Sequence, residues 1–232
     1  MARATFLVLG MRNRATIRLD IWVLLTLLLV LCFHGCAHNA DGGSGCDGRN
    51  LSLPLKELKA QHFRGSSSPG SAAELEPGKP ISFYVFADER RNDSGVALKK
   101  DQQYRFRIEQ GNCWKDASIS AHPIKGWGDH PFPWWVQLVR TFGQIWSASP
   151  DHDLMVLLGG IEGANVTFAF VDHVVMEDSG EQMILGELRA QETGELVAFA
   201  NDVQMDYFYE NNSGYVIVTV EVVPGDPSTL RR

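Results

Sequence analysis

From Ile81 onward, apolar and polar residues alternate in short bursts. Ile81, Phe83, Val85 and Ala87 alternate with Ser82, Tyr84, Phe86 and Asp88, and Tyr104, Phe106 and Ile108 alternate with Arg105, Arg107 and Glu109. A period of two puts every second side chain on one face of an extended chain, so each burst reads as a strand with one face buried and one in water. The runs Leu154 to Leu158, Val166 to Val171, Leu196 to Ala200 and Tyr215 to Val223 are short, β-branched or aromatic, and punctuated by Gly, Asn and Asp. Strands at such spacing predict an all-β fold, an antiparallel β-sandwich over residues 81–224. One stretch departs from the pattern. Trp135, Leu138, Val139 and Phe142 recur at helical steps and predict one short helical insertion from Trp134 to Trp146.

Residues 36–80 have another character. Apolar periodicity is weak and Gly, Ser and Pro are frequent, as in Asp41-Gly42-Gly43-Ser44-Gly45 and Ser66-Ser67-Ser68-Pro69-Gly70-Ser71, the composition of a disordered tether; only Leu51 to Leu58 has apolar residues enough for a short helix. Residues 225–232 read as a tail.

Residues 1–35 read as a secretory signal, removed by a signal peptidase or kept as an uncleaved signal anchor. Arg12, Arg14 and Arg18 precede an apolar run from Ile21 to Phe33, which is short for a membrane span of roughly 20 residues. Met11 offers an alternative start. Removing the four arginines and one aspartate that precede Cys36 leaves 17 Lys and Arg against 27 Asp and Glu, a formal charge of −10. That balance argues against nucleic acid as a partner, since such affinity comes from clustered cations neutralising phosphates, and it suits divalent cations. Beyond Cys36 only Cys46 and Cys113 follow, able to pair in an oxidising compartment or to stay free.

No nucleophile elbow, HExxH, P-loop or GxGxxG is present. Acid and histidine neighbours occur at Asp129-His130, Asp151-His152-Asp153 and Asp172-His173. Folding could join two of them into an acid–base pair of a hydrolase or into a metal site, though nothing in their spacing does so, and the expectation is a non-enzyme. The densest set of side-chain oxygens lies between two predicted strands, from Phe199 to Gly214. Asp202, Asp206, Asn211 and Asn212 there offer donors of the kind calcium takes in sets of about 6 to 8. The same residues equally suit a polar hairpin in which Asn and Asp bond the backbone.

Two resemblances sharpen these readings. Leu31-Cys32-Phe33-His34-Gly35-Cys36 resembles the lipobox of bacterial lipoproteins, which implies lipidation of Cys36 and an exported chain held by a lipid anchor in the bacterial envelope, at the outer membrane or in the periplasm. Asn201-Asp202-Val203, followed by Asn211-Asn212-Ser213-Gly214 and a valine-rich last strand, resembles the calcium and galactose loop of the PA-I galactophilic lectin (LecA) family. Asn92-Asp93-Ser94-Gly95 is similar to that family's opening Gly-containing turn, and Leu154 to Gly159 to the strand after its central loop. The likeness implies a galactose-binding, jelly-roll-like sandwich with calcium as cofactor. Asp202, Asn211, Asn212 and the backbone carbonyl of Phe208 would hold the ion, and a galactoside-like carbohydrate would complete its shell. His130, Asp202 and Asn211 would contact the sugar, with Trp134 or Trp135 offering an apolar face. It leaves open a homo-oligomer. Between Asp202 and Asn211 the segment is longer than in the lectins and carries Gln204-Met205 in place of their Pro-Gly, a difference able to shift the two out of register. The rival reading is an envelope scaffold of the same fold that binds no sugar.

Overall fold

The computed structural model describes Glu57, Lys59 and residues 72–111, 114–129, 131–178 and 183–224, with backbone alone at 176–178. The expected signal, Cys36, Cys46, Cys113, His130 and the tail lie outside the described residues.

Two five-stranded sheets form a sandwich. One runs in the order β1 (Ala73–Glu74), β3 (Asn92–Leu98), β11 (Gly194–Ala200), β7 (Leu157–Ile161), β8 (Val166–Ala169). The other runs β2 (Ile81–Phe86), β13 (Tyr215–Val222), β4 (Gln103–Gln110), β10 (Met183–Arg189), β9 (Val174–Asp178). A small third sheet joins β12 (Asn212–Ser213), β5 (Lys115–Asp116) and β6 (Ile119–Ser120). All pairings are antiparallel except β1 on β3, which carries the fold N-terminal of Ile81. Among the described residues from 72 to 224 the helices are α1 (Trp134–Trp146), as expected, and α2 (Asp206–Glu210), with a 3₁₀ turn at Phe170–His173 between β8 and β9.

The alternation seen in sequence becomes the wall of the core. Val216, Val218 and Val220 of β13 face the same way as their partners Val85, Phe83 and Ile81, and as Ile108 and Phe106, while Ile184 and Leu188 extend the layer. Val96, Leu98, Leu196, Ala198, Ala200 and Leu157 belong to the same buried cluster. The outer face is ionic: Arg105 reaches Glu221 at 3.1 Å and Glu187 at 3.2 Å across neighbouring strands. Gly186 stands where a Cβ would lie 2.1 Å from the Phe106 ring, so only glycine lets that ring cross β10.

Two expectations shift. The strand read from Leu154 begins at Leu157, because Met155 takes a positive φ of 66° and Leu154 to Val156 form the approach to it. Short apolar runs buried on both sides carry no period that marks their start. Asn92 to Gly95 is not a turn but the first half of β3, and the buried Asn92 ties three strands together. Its amide accepts from the Phe86 N–H at 2.9 Å and donates to the Phe86 and Ala198 carbonyls, both at 3.1 Å.

Candidate functional site

The site is built where β11 leaves its sheet. Asn201 and Asp202 are adjacent and both buried, and they face different tasks. Asn201 closes the 149–153 loop: its amide accepts from Ser149 N–H at 3.0 Å and donates to the carbonyls of Ser149, His152 and Asp153 at 3.0, 3.1 and 3.0 Å. With its amide so engaged, Asn201 is a clamp.

Asp202 turns the other way. One carboxylate oxygen accepts from the Val203 N–H at 2.6 Å and the other from Asn212 Nδ2 at 2.7 Å. The long segment between them is taken up by α2. Tyr209, buried, donates its hydroxyl to the Ala200 carbonyl at 2.8 Å and accepts from Gln204 Nε2 at 3.0 Å, which pins α2 over the end of β11 and returns the chain to Asp202 at Asn212. Insertion therefore leaves Asp202 and Asn212 in contact.

β12 then brings a residue that the sequence does not single out. Asn212 pairs in register with Asp116 of β5, and Ala117 N–H donates to the Asn211 carbonyl at 3.1 Å. Asp116 and Asp202 are both buried carboxyls and influence each other. Burial, and then the nearby Asp202 charge, push Asp116 up to about 8; a hydrogen bond from the Asn211 amide and the nearby Trp127 indole N–H oppose the rise. Trp127 Nε1 nevertheless reaches no partner in hydrogen-bond geometry, so its help is weak. Burial raises Asp202 to about 6, against the bonds from Asn212 and Val203. None of the influences on either carboxyl is a neighbouring cation. Asn212 Nδ2 also donates to the Ala87 carbonyl at 3.3 Å, while its Oδ1 is buried and has no hydrogen-bond partner among the described residues.

The remaining expected residues are placed as follows. Asp206 points away to the surface and pairs with Arg90 at 2.8 Å. Phe208 lies half-buried within α2. Trp134 stands 75% exposed at the start of α1, whereas Trp135 packs against the core. Asp153 is held by both Arg140 Nε at 2.7 Å and Nη2 at 2.6 Å and also accepts from the Gly128 and Leu154 N–H groups. The pairing of Asp172 is with His152 at 3.2 Å, and His152 Nδ1 lies 2.8 Å from Ser149 Oγ. His173 instead packs its ring edge-on to Phe168, and burial lowers its pKa against the opposing charge of Asp172. The Ser149–His152–Asp172 line spans an exposed acid, and its serine N–H already serves Asn201, which leaves that N–H unable to stabilise an oxyanion.

Among the described residues no group of three or more His, Cys, Asp and Glu converges. The donor set at Asp116, Asp202, Asn211 and Asn212 is one of carboxylate and amide oxygens, the ligands of a hard cation. Fold and site together define an all-β sandwich with a buried, oxygen-lined acidic corner. No family model and no curated protein matches the chain. Among solved structures it is similar to one described as "EclA N-terminal domain; PllA-like lectin", at 15% identity and a TM-score of 0.40, over 62% of this chain and 96% of that one. What the corner can do is therefore read from its own residues.

Proposed function

We propose that the domain is a calcium-dependent carbohydrate-binding module whose ion site is the Asp116, Asp202 and Asn212 corner, with Asn211 beside it. The observation that carries this reading is the imbalance there: two buried carboxyls whose burial no cation among the described residues offsets, and a buried amide oxygen with no hydrogen-bond partner among them. Proteins seldom leave such groups uncompensated, because burying charge or an unpaired acceptor costs free energy. A divalent cation removes all three costs together, and the residues present fit one.

Bound calcium would supply open coordination positions for two neighbouring sugar hydroxyls. The chain's own part is to hold the donors. α2 and Tyr209 fix Asp202 against Asn212, and the β5–β12 pairing fixes Asp116 against the same asparagine.

A thermal melt of the purified chain in chelator, in calcium, and in calcium with galactose tests the reading. A ligand at 100 times its Kd adds about 2.7 kcal/mol. The expected result is a rise with calcium and a further rise with galactose that needs calcium. A melt indifferent to calcium would remove the ion and with it the sugar, leaving the scaffold reading. A rise with calcium alone would keep the ion and remove galactose.

A further inference from the structure

α1 distributes its charge the wrong way round for a helix on a water-facing surface. Its one charged side chain, Arg140, is turned inward to grip Asp153, and Val136 and Gly143 are buried against the domain. The solvent side carries Trp134, Leu138, Phe142, Ile145 and Trp146, each between 46% and 75% exposed, and the other exposed residues are the neutral Gln137 and Thr141. At 3.6 residues per turn the five apolar residues fall within an arc of roughly 120°. Exposed Met205 and Tyr207 continue the patch, because Gln204 N–H donates to the Trp146 carbonyl at 3.2 Å and Val203 bridges to Ser147. A contiguous apolar surface of this kind marks a contact with something other than water.

We propose that this face docks the domain onto the surface of an electrically neutral lipid bilayer, with α1 lying in the headgroup boundary. Tryptophans at both ends of the stripe, with Leu, Phe and Ile between them, suit that boundary, where the ring is buried and the indole N–H stays wet. None of the described helices is long and apolar enough to cross a membrane, which fits a helix lying flat. The net charge of the chain after Cys36 is acidic and the helix carries no outward cation, so attraction to anionic headgroups is missing and burial of the stripe is the driving term.

The chain length outside the fold points to the same occupant, a step that rests on reading the apolar run from Ile21 to Phe33 as membrane-directed. Lys59 is docked on the domain, 2.6 Å from Asp88 and 2.9 Å from Glu89, so only residues 34–58 separate that run from the fold. Whatever its conformation, a chain of that length reaches no further than about 90 Å. The domain is thereby confined near any bilayer that holds the run, and a weak interfacial contact becomes an effectively intramolecular one.

The test is fluorescence of the full chain carrying Trp22→Phe, reconstituted into phosphatidylcholine vesicles with brominated acyl chains, which quench indoles near them. Trp114 and Trp127 are buried in the core and Trp135 packs on it, so the lipid-dependent signal belongs to Trp134 and Trp146. A blue shift with quenching is expected, and the Leu138→Gln/Ile145→Gln variant, which keeps both reporters, is expected to dock at least about tenfold more weakly, because losing two large apolar contacts exceeds the 1.4 kcal/mol that a tenfold change represents. An unchanged melting temperature certifies that the variant is folded. Three results overturn the proposal. A chain that floats with vesicles while both indoles stay unquenched is held by its N-terminus alone. A chain that does not float removes the membrane reading as well. Sedimentation showing a dimer that the double variant dissolves, without quenching, assigns the face to a second copy of the chain.

Discussion

Two acidic corners flank Asn201, one part-buried and one buried, and they are finished differently. On one side Asp153 accepts a two-pronged bond from Arg140, a bond from Gln144 and two backbone N–H groups, so its charge is neutralised and its oxygens are used. On the other side Asp116 and Asp202 lie close enough to influence each other, and hydrogen bonds alone oppose their burial. Within one domain, then, an acid that serves structure comes with its cation, and the acids that lack one are those that suit a ligand. The distinction is energetic: a complete buried pair adds little net stability, yet removing one partner is severe.

The largest effect is expected at the finished corner. Arg140→Met leaves the part-buried Asp153 without its cation and should cost about 2–4 kcal/mol in urea unfolding, the lower part of that range reflecting the partial exposure of both side chains. Adding Asp153→Asn should recover part of the loss. If Arg140→Met were neutral, the contrast between the corners would disappear.

At the other corner the sign reverses. In chelator at neutral pH, Asp116→Asn removes a carboxyl that the folded state must keep protonated while the unfolded chain ionises it, and should raise the melting temperature by a few degrees, on the order of 1 kcal/mol. The same substitution should abolish the calcium-induced rise, a larger loss of about 2.7 kcal/mol at 100 times the Kd. A variant that melts lower in chelator would mean that Asp116 is an ordinary structural acid.

The pH dependence follows from the raised values. Asp116 holds its proton in the folded state up to about 8 and Asp202 to about 6, whereas in the unfolded chain both release near the ordinary 3.8. Over that window the folded state binds more protons than the unfolded state, so stability falls with rising pH. In chelator the melting temperature should therefore decline from about pH 4 to about pH 8 and level off above, and Asp116→Asn should remove the upper part of the decline. Calcium binds the deprotonated pair, so its stabilising effect should grow through the same range. A flat profile in chelator would show the pair to be solvated and the corner open.

Much of this was legible in the sequence, and the rest fails for identifiable reasons. The faces of β4 follow from a period of two along the strand, β13 stands out as a β-branched run without that period, and α1 has the bounds its apolar spacing predicts. Asp202 and Asn212 stand out because they sit in one polar loop, though their contact depends on Tyr209 folding α2 back across β11. Asp116 gives no local signal. It enters the site through a two-residue strand whose pairing with Asn212 spans nearly a hundred positions, and such long-range registers leave no periodic trace. Arg140 facing inward is equally silent, since a charged residue on a helix ordinarily marks the wet side.

Asp88 offers an intermediate case and the smallest effect. One of its oxygens takes the Lys59 ammonium at 2.6 Å, and the other is buried with no hydrogen-bond partner. Lys59 also reaches Glu89 and sits 5.2 Å over the Phe86 ring, so its stem and charge are both engaged. If buried acids here are either finished or reserved for a ligand, a half-finished one should lose less than Asp153 when its cation goes. Lys59→Met keeps the stem on Phe86 and should cost about 1 kcal/mol in urea unfolding, consistent with a partly exposed pair. It should leave the calcium response intact, because Asp88 reaches the ion corner only through the backbone of Ala87, whose carbonyl accepts from Asn212. A loss matching that of Arg140→Met would instead make the segment around Lys59 as integral to the fold as α1.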